Sequence, residues 1–402
     1  VVLEADDTVC QGSRAGCVTR RTLDIFDQLG VAEPILRQGL PWHEGWSYNG
    51  TTEVYRMQVP GDSLSRFPTL VNIQQCYVEQ YMVEQIDAHD ELIDLRWQSR
   101  LAGIQTRSDG VLVDVETPDG DYSLQADWVV ACDGARSFVR SAMDLRYVGT
   151  QFEDGYIIVD ILMKSELGPG RRAWFNPPSN PGATLLLHKH RNDLWRFDYQ
   201  LREDDDPEEA VKPENVFARI QDHLELIGET ASWSPVWIST YNAKCMSLES
   251  YRHGRVLFAG DAAHLVPIFG VRGMNSGIED IDNLAWKLAL VGQGRGTDKL
   301  IDSYSDERRE AMQENMRQSS KSAEFMAPPS KAFKIMRDAV LALSERHDWI
   351  AKLVDWRTSS PVGYPSSQLN YVPSGGADNL VPGHYLRDVT LRISNGGKSE
   401  TT

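Results

Sequence analysis

The chain opens with a short apolar run that ends in a carboxylate, VVLE, the pattern of a buried strand closing at Glu4. A Gly/Ser/Arg loop, QGSRAG at 11–16, comes next. In the TRRTLDIFDQLG that follows, Leu23, Phe26 and Leu29 fall about one turn apart and Gly30 suits a helix C-cap. Strand, loop and helix form the first unit. Between 70 and 145 the pattern predicts a helix over VEQYMVEQIDAH and alternating strands around VLVDVET. The run DWVVACDG then reads as a buried strand that stops abruptly at Asp133-Gly134.

From 150 to 245 the texture changes to alternating strands rich in aromatics, among them Trp174, Phe175, Trp195, Phe197, Tyr199, Trp233 and Trp237, broken by the acidic loop REDDDPEE. This stretch predicts a separate sheet domain. The strand RVLFAG follows it, then a long loop and a helix in which Met274, Ile278, Ile281, Leu284, Ala285 and Leu288 keep helical spacing and predict its buried face. Helical patterns continue to about residue 355. The remainder, with SSPVGYPSSQLN and PSGGADNLVPG, is rich in Pro, Gly and Ser and reads as an extended tail over the body.

A length of 402 residues with 41% hydrophobic content implies two or three domains with substantial cores. The formal net charge of -17 argues against nucleic-acid or acidic-membrane partners, because no basic patch stands against it. Five cysteines without CxxC spacing (Cys10, Cys17, Cys76, Cys132, Cys245) fit neither a zinc site nor a disulfide framework, and a reducing cytoplasm is the simplest setting. The sequence carries no run apolar and long enough to cross a bilayer and no signal-like start. It begins on a strand without a methionine, which reads as a truncated N-terminus.

Three constellations carry chemistry. Glu4 ends a strand where an acid can accept hydrogen bonds from a ribose diol, although capping the strand is the plainer role for it alone. Asp133-Gly134-Ala135-Arg136-Ser137 follows a buried strand, so the glycine permits a close turn and Arg136 can reach an anionic or carbonyl group; an ordinary strand-to-helix turn looks the same. The most specific is RVLFAGDAAHLVPIFGVRGMNSGIEDIDNLAWKLAL. There a buried strand ends at Gly260-Asp261, Asp261 can accept a sugar or ribityl hydroxyl, and Gly270 and Gly273 let backbone approach a flat ring. The N-terminus of the ensuing helix would stabilise negative charge on such a ring.

That last stretch resembles the GD motif of the class A flavoprotein aromatic hydroxylases, the para-hydroxybenzoate hydroxylase family, and Asp133 to Ser137 resembles their DG motif. The texture is most similar to 3-(3-hydroxyphenyl)propionate and phenol hydroxylases, since GMNSGIEDIDNLAWKL and VGYPSSQLN match their pattern. The resemblance spans nearly the whole chain, more loosely in the sheet domain. It implies an α/β fold in which a Rossmann-like FAD-binding domain (1–145 and 246–325) carries an inserted mixed β-sheet substrate domain (146–245), with C-terminal helices and an extended tail at 326–402. The first strand and GxGxxG loop of the family are missing from this sequence.

The resemblance further implies that Glu4 meets the adenosine ribose, Arg14 the pyrophosphate or flavin, and Gln75 the cofactor. Asp133 and Arg136 would serve FAD and nicotinamide, Gly260-Asp261 the ribityl chain, and Pro267 with the Gly273-Met274-Asn275 backbone the isoalloxazine. Arg272 stands where relatives often carry glutamine or lysine, so it is either a cation favouring an anionic flavin or part of a structural ion pair.

The implied reaction is FAD-dependent, NADPH- or NADH-consuming hydroxylation of a small phenolic compound by dioxygen through a flavin 4a-hydroperoxide. A homodimer is compatible with the resemblance, and no proton-abstracting residue is named. An oxidase or halogenase on the same scaffold shares the cofactor motifs, although the halogenase signature WxWxIP is not present. A non-catalytic ligand-binding remnant is the alternative from a different class. His264 reads as a structural histidine, and His188 and His190 as neighbours on one strand face, lining a cavity or forming half a metal site for which no third ligand is in view. The aromatic cluster reads as sheet packing before it reads as a phenol-binding wall.

Overall fold

Eight strands form one mixed sheet, in the order His264–Leu265, Trp233–Ser247, Val148–Met163, Leu194–Gln200, Thr184–Lys189, Arg171–Phe175, Glu44–Asn49 and Thr52–Gln58. The computed structural model describes residues 1–59, 65–354, 359–371, 382–385, 392–395 and 398–401. Neighbouring strands run antiparallel except Arg171–Phe175 against Glu44–Asn49. Residues 44–58, which the sequence places with the 1–145 unit, are therefore hydrogen-bonded into the large sheet. Pairing over more than 120 residues leaves no periodic trace in a local pattern.

Period-two alternation gives this sheet two unlike faces. Ile157, Val159, Ile161, Leu185, Leu187, Trp195, Phe197 and Tyr199 are buried in one cluster with Val216, Ile220 and Leu224 of the helix Pro213–Leu226. Trp174 joins them, so most of the aromatic run is sheet packing under a helix, the plainer of its two readings. On the opposite face of the strands lie Asp160, Arg196 and His188, all buried.

A second layer consists of short parallel pairs and a meander. Val2–Leu3 pairs in parallel with Leu95–Arg96. Val129–Ala131 pairs in parallel with Val256–Phe258. The antiparallel meander Arg100–Thr106, Val111–Glu116, Tyr122–Ala126 turns Val111, Val113 and Val115 into a core shared with Val256, Leu257, Phe258 and Tyr304. The helix Arg20–Gln28 starts at Thr19, whose hydroxyl accepts from the Thr22 amide, and it ends before Gly30, which takes φ 75°. Leu23 and Phe26 are buried, but Leu29, at the cap, is 47% exposed.

The long helices Gly273–Gly292 and Asp298–Met326 pack together. Their contact departs from the apolar stripe that the sequence predicts. Leu284 is buried, yet Ile281 is 38% exposed, whereas Ser276, Asp280, Asn283 and Lys287 are buried. These polar positions recur at intervals of three and four and so share a face. They meet a matching polar face on the partner helix: the Lys287 ammonium lies 2.6 Å from Glu307, which also accepts from Asn283 at 2.7 Å, and Asn315 donates to Ser276 at 3.0 Å. Burial is sustained here by saturation of polar groups rather than by apolar area. Tail residues 364–367 dock on the same helix, with the Tyr364 hydroxyl accepting from Arg308 at 2.6 Å and Ser367 donating to Glu307 at 2.5 Å. Most of PSGGADNLVPG lies outside the described residues. No helix among the described residues is long and apolar enough to cross a membrane.

Candidate functional site

Two loops leave the carboxyl ends of adjacent parallel strands, the place where open α/β sheets receive ligands. Ala131 stands opposite Phe258, and the Ala259 amide donates to the Ala131 carbonyl at 3.1 Å, so Asp133-Gly134 and Gly260-Asp261 emerge side by side. Both glycines hold positive φ, 76° and 58°, a conformation that side chains resist. Cys132 and Asp261 both reach the surface here, and the protein around them pushes the thiol up to about 12 and raises the carboxyl by desolvation. The surface between the two loops is the position at the carboxyl ends of neighbouring parallel strands where the crevice of an open α/β sheet lies.

Arg140 fastens the loops to each other. It donates to the Ala135 carbonyl at 2.7 Å, to the Ala262 carbonyl at 3.2 Å and to the Tyr147 hydroxyl at 2.6 Å, and Tyr147 in turn donates to the Asp261 carbonyl. Asp133 is partly committed as well, accepting from the Val139 amide at 3.0 Å at the start of the helix Phe138–Ala142.

Asp280 fixes the second loop from below. Its Oδ2 accepts from the Gly260 amide at 2.9 Å and faces His264 Nε2 at 2.6 Å, while its Oδ1 accepts from Arg308 at 2.6 Å. Burial by itself would raise this carboxyl. Attraction and hydrogen bonds from His264 and Arg308 outweigh that and hold it below the usual carboxylate range. His264 is thereby a buried structural partner, as its surroundings in sequence predict. The Asp261 carboxylate, by contrast, has no hydrogen-bond or ion-pair partner among the described residues.

The helix Gly273–Gly292 packs against the Gly260 turn. No side chain caps its start at Arg272, so its first amides carry the positive end of the helix dipole unneutralised by a cap. One turn in, a Cβ built on Gly277 would stand 3.2 Å from the Gly260 Cα. Because Asp280 pins the Gly260 amide, the loop cannot yield freely. Gly277→Ala is therefore expected to lower stability by about 1–2 kcal/mol despite the better helix former, as overpacking outweighs propensity. Chemical denaturation measures it, and a gain in stability would show that the loop gives way.

Asn275 links this helix start to the first unit. Its side chain donates to the Cys17 carbonyl (3.1 Å) and accepts from the Thr19 amide (3.0 Å) and the Thr22 hydroxyl (2.7 Å). Met274 packs with Ile278 against the cluster around Leu23 and Phe26. Pro267 is buried, and Arg272 is buried and donates to the Gly270 carbonyl at 3.3 Å. The loop preceding Cys17 rests on the helix Gln75–Asp87: Gln75 accepts from the Ala15 amide at 3.2 Å and donates to Glu79, and Glu79 accepts from the Cys10 amide at 2.7 Å. Arg14 holds φ 38° with an exposed side chain, and Arg136 is exposed. Glu4 ends its strand pair and accepts from the Asp6 amide at 3.0 Å.

Asp133 and Gly260-Asp261 thus stand at neighbouring strand ends, the helix at Gly277 packs on the Gly260 turn, and Asn275 ties the helix start to the Cys17–Thr19 strand, whose preceding loop carries Arg14 and rests on Gln75; Arg136 is exposed on the first loop. Arg140, Asp280 and Arg308 are supporting residues that sequence reasoning missed. The available signal was an unusual density of charge inside segments otherwise patterned for burial. His188 and His190 are both buried on the polar side of the large sheet, with His190 pushed down to about 3 by burial and the Arg196 charge. Among the described residues, no group of three or more His, Cys, Asp or Glu is arranged to hold a metal ion.

The open turn at Gly134, where an added Cβ would meet nothing within 4 Å, the unpartnered Asp261 carboxylate and the uncapped helix start suit a ligand bearing hydroxyls and negative charge. A family model described as FAD binding domain matches residues 1–319. The chain is 28% identical over 347 residues to a 3-(3-hydroxy-phenyl)propionate/3-hydroxycinnamic acid hydroxylase of Mycolicibacterium smegmatis, covering 85% of this chain and 59% of that protein. The hydroxylase of the same name from Escherichia coli is also 28% identical, with 85% and 60% covered. The chain therefore spans about three-fifths of the length of these relatives. Among solved structures, p-nitrophenol 4-monooxygenase PnpA from Pseudomonas putida DLL-E4 superposes with a TM-score of 0.74 at 22% identity, covering 87% of this chain and 89% of that one. The flavin-dependent monooxygenase PieE gives 0.80 at 19% identity, covering 100% and 78%. Both share the fold.

Proposed function

The chain belongs to the FAD binding domain family, and on that premise we propose that it hydroxylates a small phenolic compound with FAD, dioxygen and NADPH or NADH. One observation carries the reading: two loops leave neighbouring strand ends, the carboxylate on one of them has no hydrogen-bond partner among the described residues, and a helix with an uncapped start packs on that same turn. The names of the curated relatives, hydroxylases of 3-hydroxyphenylpropionate and 3-hydroxycinnamate, support a phenol carrying an acidic side chain as the substrate class.

In this reading Asp261 and the Gly260 turn hold the ribityl chain, Asp133 and Arg136 meet FAD and the nicotinamide, Arg14 and Gln75 meet the cofactor from the 11–16 loop, and Glu4 meets the ribose. Pro267 and the Gly273-Met274-Asn275 backbone lie along the ring, whose negative charge the helix dipole favours. Bound FAD supplies the redox and oxygen-activating chemistry, and the protein supplies orientation and a water-excluding wall. In this reading the wall is the apolar seam where Phe269 meets Tyr156 edge-on at 5.5 Å and the Tyr241 hydroxyl donates to the Val266 carbonyl at 3.0 Å. No side chain is assigned as nucleophile.

Oxidation of NADPH and NADH by the purified chain with FAD added, against a panel of phenols that includes hydroxyphenylpropionates, tests the proposal. Stimulated oxidation with a product heavier by one oxygen atom is the expected result. Tight FAD binding with no phenol accelerating turnover or gaining oxygen would instead favour an oxidase.

A further inference from the structure

The charged face of the large sheet is built as a row. Register places Trp237, Asp160, Arg196, His188 and Arg171 directly opposite one another across five adjacent strands. Asp198, two residues along from Arg196, binds Arg196 at 2.7 Å and lies 3.4 Å from His188 Nε2, while Arg171 donates to His188 Nδ1 at 3.4 Å. The row thus ends in a compensated cluster around Arg196 and His188, and Asp160 stands beside Arg196 with its carboxylate bonded to the 12–16 loop.

The 12–16 loop lies along this row position by position. Gly12 sits against the Trp237 ring so closely that a Cβ there would stand 2.6 Å from it. Ser13, fully buried, gives Asp160 both its donors, the amide at 3.0 Å to Oδ2 and the hydroxyl at 2.8 Å to Oδ1. Arg196 donates to the Ser13 hydroxyl at 3.3 Å and to the Arg14 carbonyl. A Cβ on Gly16 would stand 3.2 Å from the His190 ring. Arg14, between these anchors, holds a left-handed backbone that a non-glycine residue adopts only when its surroundings impose it.

We propose that Asp160 and Arg196 are positioning residues that hold the Ser13–Arg14 turn in the shape in which it meets FAD, so that the cofactor loop is shaped by the substrate sheet. The inference rests on the reading of Arg14 and Gln75 as cofactor contacts. It goes beyond packing because burying Asp160 is unfavourable: burial pushes its carboxyl up to about 6, although the Ser13 hydrogen bonds and the Arg196 charge oppose the rise. With a folded pKa above the unfolded value, whatever stability this group contributes is complete below the unfolded pKa and is lost as pH rises through about 6. At pH 8 the ionised Asp160 therefore costs the fold stability rather than adding it, so a variant that weakens FAD there is not explained by a less stable fold.

The test is a double-mutant cycle between Ser13→Ala and Asp160→Ala at pH 8, with Asp160→Asn as the conservative variant. It is read by FAD titration through fluorescence quenching, by amide hydrogen exchange over 11–16, and by thermal unfolding. Asp160→Ala is expected to weaken FAD by about tenfold and to speed exchange across the loop without a matching fall in melting temperature. Ser13→Ala should do less, because the Ser13 amide still reaches Asp160. The double variant should match Asp160→Ala rather than sum the two, and Asp160→Asn, keeping one acceptor, should recover part of the affinity.

Additive effects, or FAD affinity and loop exchange both within twofold of the parent in Asp160→Ala, would overturn the clamp. Should Asp160→Ala fail to fold, Asp160→Asn and Ser13→Ala carry the same comparison. If the parent itself does not bind FAD, the functional reading fails instead, and exchange over 11–16 alone decides whether Asp160 holds the loop.

Discussion

Arg308→Met is expected to destabilise the fold by about 3–5 kcal/mol, the cost typical of removing one partner from a buried ion pair. Arg308 is fully buried and donates through Nε to Asp280, through Nη2 to the Ser276 carbonyl at 3.1 Å, and through Nη1 to Tyr364 and Glu279. Methionine fills much of the volume but leaves the fully buried Asp280 and the largely buried Glu279 without their guanidinium. Both depend on the guanidinium. Desolvation already raises Glu279 with Arg308 opposing it, whereas for Asp280 the positive partners win and the carboxyl lies below its ordinary value. A depressed carboxyl adds stability above its unfolded pKa and loses it as pH falls through the folded one. The parent should therefore unfold progressively in acid, and Arg308→Met should show a weaker dependence on pH over the same range. Urea titrations at pH 7 and below pH 4 measure both effects. Adding Asp280→Asn to Arg308→Met should restore part of the loss, since it removes one stranded charge; a double variant worse than the single would mean that Asp280 matters through its shape rather than its charge.

The network also shows what a linear pattern can and cannot reveal. Strand ends followed by Asp-Gly or Gly-Asp, a helix after a Gly/Pro loop, and aromatic alternation are local signals, and they mark the neighbouring strand ends at Asp133 and Gly260 and the part of the large sheet between 148 and 247. The partners that hold the crevice are separated by long stretches of chain: Asp280 from Arg308 by 28 residues, Ser13 from Asp160 by 147, Asn275 from Thr19 by 256. Such pairings follow from register and helix packing, which hydrophobic periodicity does not encode. Periodicity even misdirects on the helix Gly273–Gly292, where it selects Ile281 and Ala285 although both are exposed. It assumes that burial is driven by apolar area, and there a saturated polar face is buried instead.

Asp261→Ala carries the second large effect, this time on function with the fold left intact. The two carboxylates beside the Gly260 turn are used in opposite ways. Asp280 is saturated by the protein, with a backbone amide, a histidine and an arginine all directed at it. Asp261 is held only through its carbonyl, which accepts from Tyr147, while its side chain faces the crevice without a partner among the described residues. Removing a carboxylate that makes no internal hydrogen bond and is raised by desolvation should not lower stability. On the reading that it accepts from the ribityl chain, its loss removes a charge-assisted hydrogen bond of about 1.5–3 kcal/mol, an increase in the FAD dissociation constant of roughly 10- to 150-fold. Fluorescence titration of FAD beside a thermal melt separates the cases. Weakened FAD with an unchanged melting temperature supports the assignment; FAD affinity within twofold of the parent would remove Asp261 from the cofactor site. An equal loss from Asp280→Ala would then have to be explained through the Gly260 turn alone.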